Sequence, residues 1–313
     1  MKNTIEADLA NAITGDVLLE APLAKVTPWT SFAILAALAI IWGSSFILMK
    51  KALVHLTWPE VGALRIFSAF VFLLPVMYSR IGLPNRRQWP YILLSGVMGS
   101  FVPAFLFAIA GKHLSSAISG SLNALSPLFT LVVGAMFFGI RTKPLAIAGI
   151  ILGLFGALAL SLNNPGDLSI NAYAYLVVLA TLCYAINLNL LKARLGELDS
   201  ITISALSLMS VGVISGIYLA VGSPILSRFE HPAEGVYFAM LCVVLLGLFG
   251  TAVGLILFNR LLKVSSPVVA ASVTYVMPAV SVFWGVLDGE HIQSYHYAGL
   301  ALIFGGVLLV NKR

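Results

Sequence analysis

Residues 275–290 read YVMPAVSVFWGVLDGE, and residues 122–139 read LNALSPLFTLVVGAMFFG. Each is an apolar run long enough for a helix, and each carries a proline inside it, Pro278 and Pro127, 151 residues apart. At that same offset Gly99 falls on Gly250, Phe107 on Phe258, Lys112 on Lys263 and Gly134 on Gly285. One residue out of register, AGIILGLFGALAL from Ala148 lies over AGLALIFGGVLLV from Ala298. At an offset of 142, Lys50 in FILMKK lies over Lys192 in LNLLKA. The chain therefore reads as a duplication, with loop lengths shifting the register between matched segments.

Composition says what solvent this duplication lives in. Charged residues are 10% of the 313, hydrophobic residues 60%, and the mean hydropathy is +1.01. An ordinary soluble domain carries about 25% charged residues to cover its surface, so lipid is the expected solvent here. Segments of about 20 apolar residues are then the unit, and they must be helices, since no stretch alternates with the period of two that barrel strands need. Ten such segments are predicted, near 30–50, 59–79, 89–110, 115–138, 144–162, 172–191, 200–222, 234–260, 265–287 and 293–311. The expected fold is an all-α membrane protein of ten transmembrane helices. It divides into a tail (1–28), a first five-helix repeat (29–163) and a second (171–313), joined through NNPGDLS.

Five is odd, so the two copies enter the membrane in opposite directions. Loop charges agree: Arg141 and Lys143 follow the first proline helix, whereas Asp288 and Glu290 follow the second, with Gly139 aligned to Glu290. Alternating the spans places thirteen of the eighteen Lys and Arg on the side of the termini and four on the other, with Arg65 inside a span. By the positive-inside tendency both termini are cytoplasmic. The net charge of +6 thus reports topology rather than a nucleic-acid partner. The first 28 residues are polar and acidic with no basic leader, which reads as a cytosolic tail rather than a signal peptide.

Inverted repeats are characteristic of secondary transporters, whose substrate site lies near the midplane between the halves. Several segments also resemble the EamA-type family of the drug/metabolite transporter superfamily: WGSSFILMKK (42–51), PEVGALRIFSAF (59–70), YVMPAVSVFWGVLDGE (275–290) and AGLALIFGGVLLV (298–310). That resemblance implies a ten-helix carrier of the bacterial inner membrane, often an exporter of amino acids or other small metabolites. Many members carry a glutamate where this chain has Gly139, so any role for that acid falls to Glu290 alone. The alternatives are an importer or facilitator of another small metabolite, a drug-efflux carrier, or, further away, a channel or membrane-embedded enzyme. Against an enzyme, there is no Walker A loop, no H-E-x-x-H and no G-x-S-x-G. No motif calls for a cofactor or a metal, and Cys183 and Cys242 sit in separate spans. The expected partners are a small-molecule substrate and the bilayer; a monomer is compatible with this.

Uncharged polar groups are the candidates for a central cavity: Trp42, Ser44 and Ser45; Asn123 and Ser126; Asn187, Asn189 and Asn259; Tyr275, Ser281 and Trp284, with Thr274 beside them. Asparagines inside lipid must find partners, either across helices or in a wet cavity, and both readings stay open. Pro127 and Pro278 are candidates for kinks that gate or widen the cavity. Glu60 and Glu290 are the coupling candidates; each also has a simpler account, as an acid in the first turn of a helix and as a solvated loop acid respectively. His113 is expected at an interface. Arg65 lies about 9 Å beyond Pro59 along its helix and aligns with Ser207 in the second copy, so the repeat does not require it. It either binds a substrate carboxylate, pairs with Glu60 as a gate, or snorkels to the interface.

Overall fold

Hydrocarbon offers the backbone no hydrogen-bond partners, so each apolar run closes its own bonds as a helix. A computed structural model describes residues 28–139, 144–164, 167–264, 273–291 and 293–311. The N-terminal tail expectation and the loop cations Arg141 and Lys143 lie outside the described residues. Seven helices are long and apolar enough to cross a membrane, and three shorter apolar helices accompany them. In chain order they are α1 (Pro28–Ala52), α2 (Trp58–Met77), α3 (Trp89–Gly111), α4 (Ser116–Phe138) and α5 (Pro144–Ser161), then α6 (Ala174–Arg194), α7 (Ser200–Gly222), α8 (Val236–Lys263), α9 (Val273–Leu287) and α10 (Ser294–Asn311). A two-stranded antiparallel hairpin, Leu162–Asn164 with Asp167–Ile170, joins the halves. The chain is a multi-pass, all-helical membrane protein.

Local chemistry sets the helix starts. Pro59 occupies the first turn of α2, and the Glu60 carboxylate accepts from the Thr57 N–H at 2.7 Å, closing the reciprocal cap of a T-x-x-E start. Asp199 caps α7 by accepting from the N–H groups of Ile201 and Thr202, both at 3.0 Å. Gly139 ends α4 at φ 66°, a left-handed cap that a side chain would strain.

The helices are not uniform. In α3 the turn Val97–Phe101 is π-helical, and in α8 so is Leu246–Val253. Pro103 supplies a cause in α3, because it has no N–H to give the carbonyl of Gly99 and its ring crowds that turn. In α8 the corresponding stretch, LGLFGTAVG, is glycine-rich instead. α4 is broken at Ala124–Leu125, just before Pro127. α9, in contrast, runs through Pro278 without interruption. The two aligned prolines therefore do different things: one restarts a helix and the other sits within one.

Packing repeats itself. α5 lies against α10 and α2 against α7, each on its own counterpart. The contact of α1 with α9 recurs as α6 with α4, and that of α3 with α6 recurs as α8 with α1. Glycines permit the closest approaches: a Cβ on Gly156 of α5 would stand 2.6 Å from the Gly299 carbonyl oxygen of α10, and one on Gly216 of α7 2.6 Å from the Phe67 ring of α2. Outward faces carry large apolar side chains such as Phe72, Ile217, Phe238 and Phe283, the surface that lipid would cover.

Candidate functional site

Between the halves lies a cavity of about 140 Å³, lined by four helices from each half (α1–α4 and α6–α9). Among the described residues, none from α5 or α10 lines its wall. The offsets found in the sequence organise that wall. Trp42 maps to Tyr184, and Phe258 to Phe107. Trp42 packs on Phe258 with ring centroids 5.2 Å apart, and Tyr184 stacks on Phe107 at 6.1 Å. Ser45 maps to Asn187, and Gly250 to Gly99. A Cβ on Gly250 would stand 2.8 Å from Ser45 Oγ, and one on Gly99 would collide with the Asn187 amide. The wide π-helical turns of α3 and α8 are thus each packed on a polar side chain from the first helix of the other half. The Trp42 indole N–H also donates to the Gly250 carbonyl at 2.9 Å.

The polar groups break this pattern. Arg65 faces the cavity where its counterpart is Ser207, and Asn259 does so where the first copy has Ala108. Arg65 Nε donates to Thr251 Oγ1 at 2.8 Å. Among the described residues no aspartate, glutamate, lysine or histidine lines the wall, so Arg65 is its single formal charge there. The Oδ1 atoms of Asn123, Asn187 and Asn259 and the Oγ of Ser207 are buried without a hydrogen-bond partner.

Of the residues singled out from the sequence, Trp42, Ser45, Arg65, Asn123, Ser126, Pro127, Asn187, Asn259 and Thr274 line this cavity together. Ser44, Asn189, Pro278, Ser281 and Trp284 lie off it. Asn189 turns back to α4 and its own helix, donating to the carbonyls of Thr130 (3.0 Å) and Ala185 (2.9 Å). The Trp284 indole donates to Ser44 Oγ at 2.9 Å, tying α9 to α1. Ser281 is fully buried, donates to the Pro278 carbonyl and packs on Gly120. The side chain of Tyr275 lies outside the described residues. Sequence reasoning passed over Tyr184, Phe107, Phe258, Ser207 and Thr251 as lining residues; the repeat offset is the signal that reaches the first four, as images of Trp42, of one another and of Arg65.

Glu60 and Glu290 do not line the cavity; they occupy one end of the bundle. Glu60 is fully buried, holding the α2 cap, Ser223 Oγ at 3.2 Å and Arg228 Nε at 3.1 Å. It is not the partner of Arg65. Glu290 is no solvated loop acid: its side chain is 4% exposed. It accepts from Lys50 Nζ at 2.8 Å and from the Ser116 and Ala117 N–H groups at 2.8 and 3.1 Å, at the start of α4. Burial alone would raise the Glu290 carboxyl, but Lys50 and these α4 donors outweigh it and hold it below the ordinary glutamate range. Asp288 is likewise held low, by Lys51 and then Lys50. At the other end, Arg80 pairs with Asp199 at 2.8 Å. All five ion pairs among the described residues join the first half to the second. His113, between the end of α3 and the start of α4, stacks on Tyr173 with centroids 3.6 Å apart.

Residues 28–162 and 171–312 each match the EamA-like transporter family. The chain belongs to that family. It is one of transporters within the drug/metabolite transporter superfamily, not of enzymes. This EamA-like transporter is 28% identical over 286 residues to the uncharacterized inner membrane transporter YedA of Escherichia coli, with 90% of each chain covered. It is 25% identical over 232 residues to a protein of Streptantibioticus cattleyicolor described as a "Probable terminal-alkyne amino-acid exporter", covering 74% of this chain and 75% of that one. A crystal structure with 16% sequence identity superposes with a TM-score of 0.63, over 91% of this chain and 97% of its own. That likeness concerns the fold.

Proposed function

We propose that this EamA-like transporter is a secondary carrier that exports amino acids or similarly small amphipathic metabolites across the bacterial inner membrane by alternating access. In this reading ten transmembrane helices form two inverted five-helix repeats with both termini cytoplasmic. The observation that carries it is the cavity shared equally by the two halves, with aromatic pairs at matched positions and ion pairs that, among the described residues, join one half to the other. Rocking one half against the other would make and break those pairs at either end while the wall between them stays in place. Loop charges favour cytoplasmic termini. The printed name of the Streptantibioticus relative supports amino acids as the first solutes to try, and that of YedA supports the inner membrane.

Uncoupled exchange is a second reading, favoured by one observation: no titratable carboxylate or histidine lines the cavity among the described residues. Counterflow in proteoliposomes tests both. Purified protein without an ion gradient is expected to accumulate labelled neutral amino acids against a preloaded pool. A pH gradient then raises the accumulation if a proton is coupled and leaves it unchanged if exchange is uncoupled. Folded protein that exchanges none of a neutral, aromatic and charged amino-acid panel would overturn the amino-acid assignment.

A further inference from the structure

A guanidinium inside a membrane-spanning helix needs an anion or a path to water. Arg65 lies in α2, in the wall of the central cavity, and its recorded protein partner is a hydroxyl, Thr251 Oγ1. The acids among the described residues that form ion pairs, Glu60, Asp199, Asp288 and Glu290, are all taken by other cations. The fork of the guanidinium beyond Nε is thus left for a planar anion that enters the cavity, and such a fork matches a carboxylate. The wall also holds buried acceptors with no donor, the Oδ1 atoms of Asn123, Asn187 and Asn259. Unpaired acceptors suit N–H donors, so the cavity offers a cation for one pole of a zwitterion and carbonyl oxygens for the other.

We infer that Arg65 is the carboxylate subsite of the transport cavity, aimed by Thr251, and that it makes the carrier select free amino acids over the same molecules with the carboxylate masked. This rests on reading the cavity as the transport site. Arg65 does not belong to the repeat scaffold, whose counterpart is Ser207. A solute-recognition group is expected where two otherwise matched halves differ, because one solute has two unlike ends.

Two measurements on the full-length protein test this. Ligand-induced thermal stabilisation in detergent reports binding, and counterflow in liposomes reports movement. The probes are leucine, phenylalanine and threonine, each as the free acid, the carboxamide and the N-acetyl acid. In the wild type the best free acid is expected to bind and exchange at least about tenfold better than its carboxamide. Arg65→Gln should abolish that preference by losing the free acid alone, Arg65→Lys should restore part of it, and Thr251→Val should weaken it without reversing it. A carboxamide handled as well as the acid by the wild type overturns the subsite, as does an Arg65→Gln effect equal for all probes. Failure of every free acid to bind folded wild type overturns it too. Arg65-dependent binding without exchange would keep the subsite and sink the carrier reading, whereas exchange blind to the carboxylate would do the reverse.

Discussion

The two ends of the bundle are closed by different chemistry. At one end Lys50, Lys51, Asp288 and Glu290 form one cluster and Glu60 with Arg228 another, and both Glu60 and the Glu290 side chain are shut away from solvent. At the other end stands Arg80–Asp199, with side chains 31% and 47% exposed. A buried ion pair is costly to break one partner at a time, whereas an exposed pair contributes about 0–1 kcal/mol. Among the described residues, the end holding Glu60 and Glu290 is therefore the more tightly tied and the Arg80–Asp199 end the looser. With the sidedness proposed above, the tight end faces outward and the cavity is poised to open toward the cytoplasm.

Arg228→Met should break this contrast hardest. It leaves the Glu60 carboxylate buried with only neutral donors, and the expected loss is about 3 kcal/mol of folding stability. The double variant Glu60→Gln with Arg228→Met should recover part of that loss, since no uncompensated charge remains. Denaturation of the three proteins in the same detergent checks it, and an Arg228→Met protein as stable as wild type would show that the tight end is not held by this pair.

Glu290→Gln comes next, at about 1–2 kcal/mol, because the amide keeps one acceptor for the α4 start but loses the charge facing Lys50. Its pH signature is the sharper readout. Asp288 and Glu290 titrate below their ordinary values in the folded protein, so they bind fewer protons there than when unfolded. Their stabilisation is complete above about pH 4.5, the ordinary glutamate value, and is lost as acid drives the pH down through the depressed values. Glu290→Gln should flatten that acid-side loss, and a wild-type-like slope would assign it to other carboxylates.

Sequence and structure agree where the bilayer dictates the answer. The segments expected near 89–110 and 200–222 are helices Trp89–Gly111 and Ser200–Gly222, because in lipid an apolar run of that length has no other way to satisfy its backbone. Which face of a helix meets the cavity was not legible in the same way. Asn187 and Asn189, two residues apart, lie about 200° apart around α6; one lines the cavity and the other ties α6 to α4. Nor do aligned prolines guarantee aligned geometry, as Pro127 and Pro278 demonstrate. The Lys50–Glu290 contact spans 240 residues of sequence, and only packing of α1 beside α9 brings it about.

Asp199→Asn should have the smallest effect and is the most telling about the loose end. Asparagine keeps the oxygen that caps α7 through Ile201 and Thr202, so the helix start survives. What disappears is the charge on Oδ2, which pairs with Arg80 and accepts from the Thr202 hydroxyl; the exposed attraction to Arg80 is worth no more than about 0.5 kcal/mol, and the asparagine amide can still hydrogen-bond Thr202. Because that pair is open to solvent, added salt should screen it. Raising the ionic strength of the wild type should then mimic Asp199→Asn in thermal denaturation while changing the Arg228→Met deficit less, since the Glu60 carboxylate is fully buried even though Arg228 is 34% exposed. Exchange in liposomes should be as fast in Asp199→Asn as in the wild type, or faster, because a loose latch has less to release each time the halves part. A slowdown comparable to that of Arg228→Met would mean that the Arg80–Asp199 contact guides closure at its end rather than merely accompanying it, and the two ends would then differ in exposure but not in function.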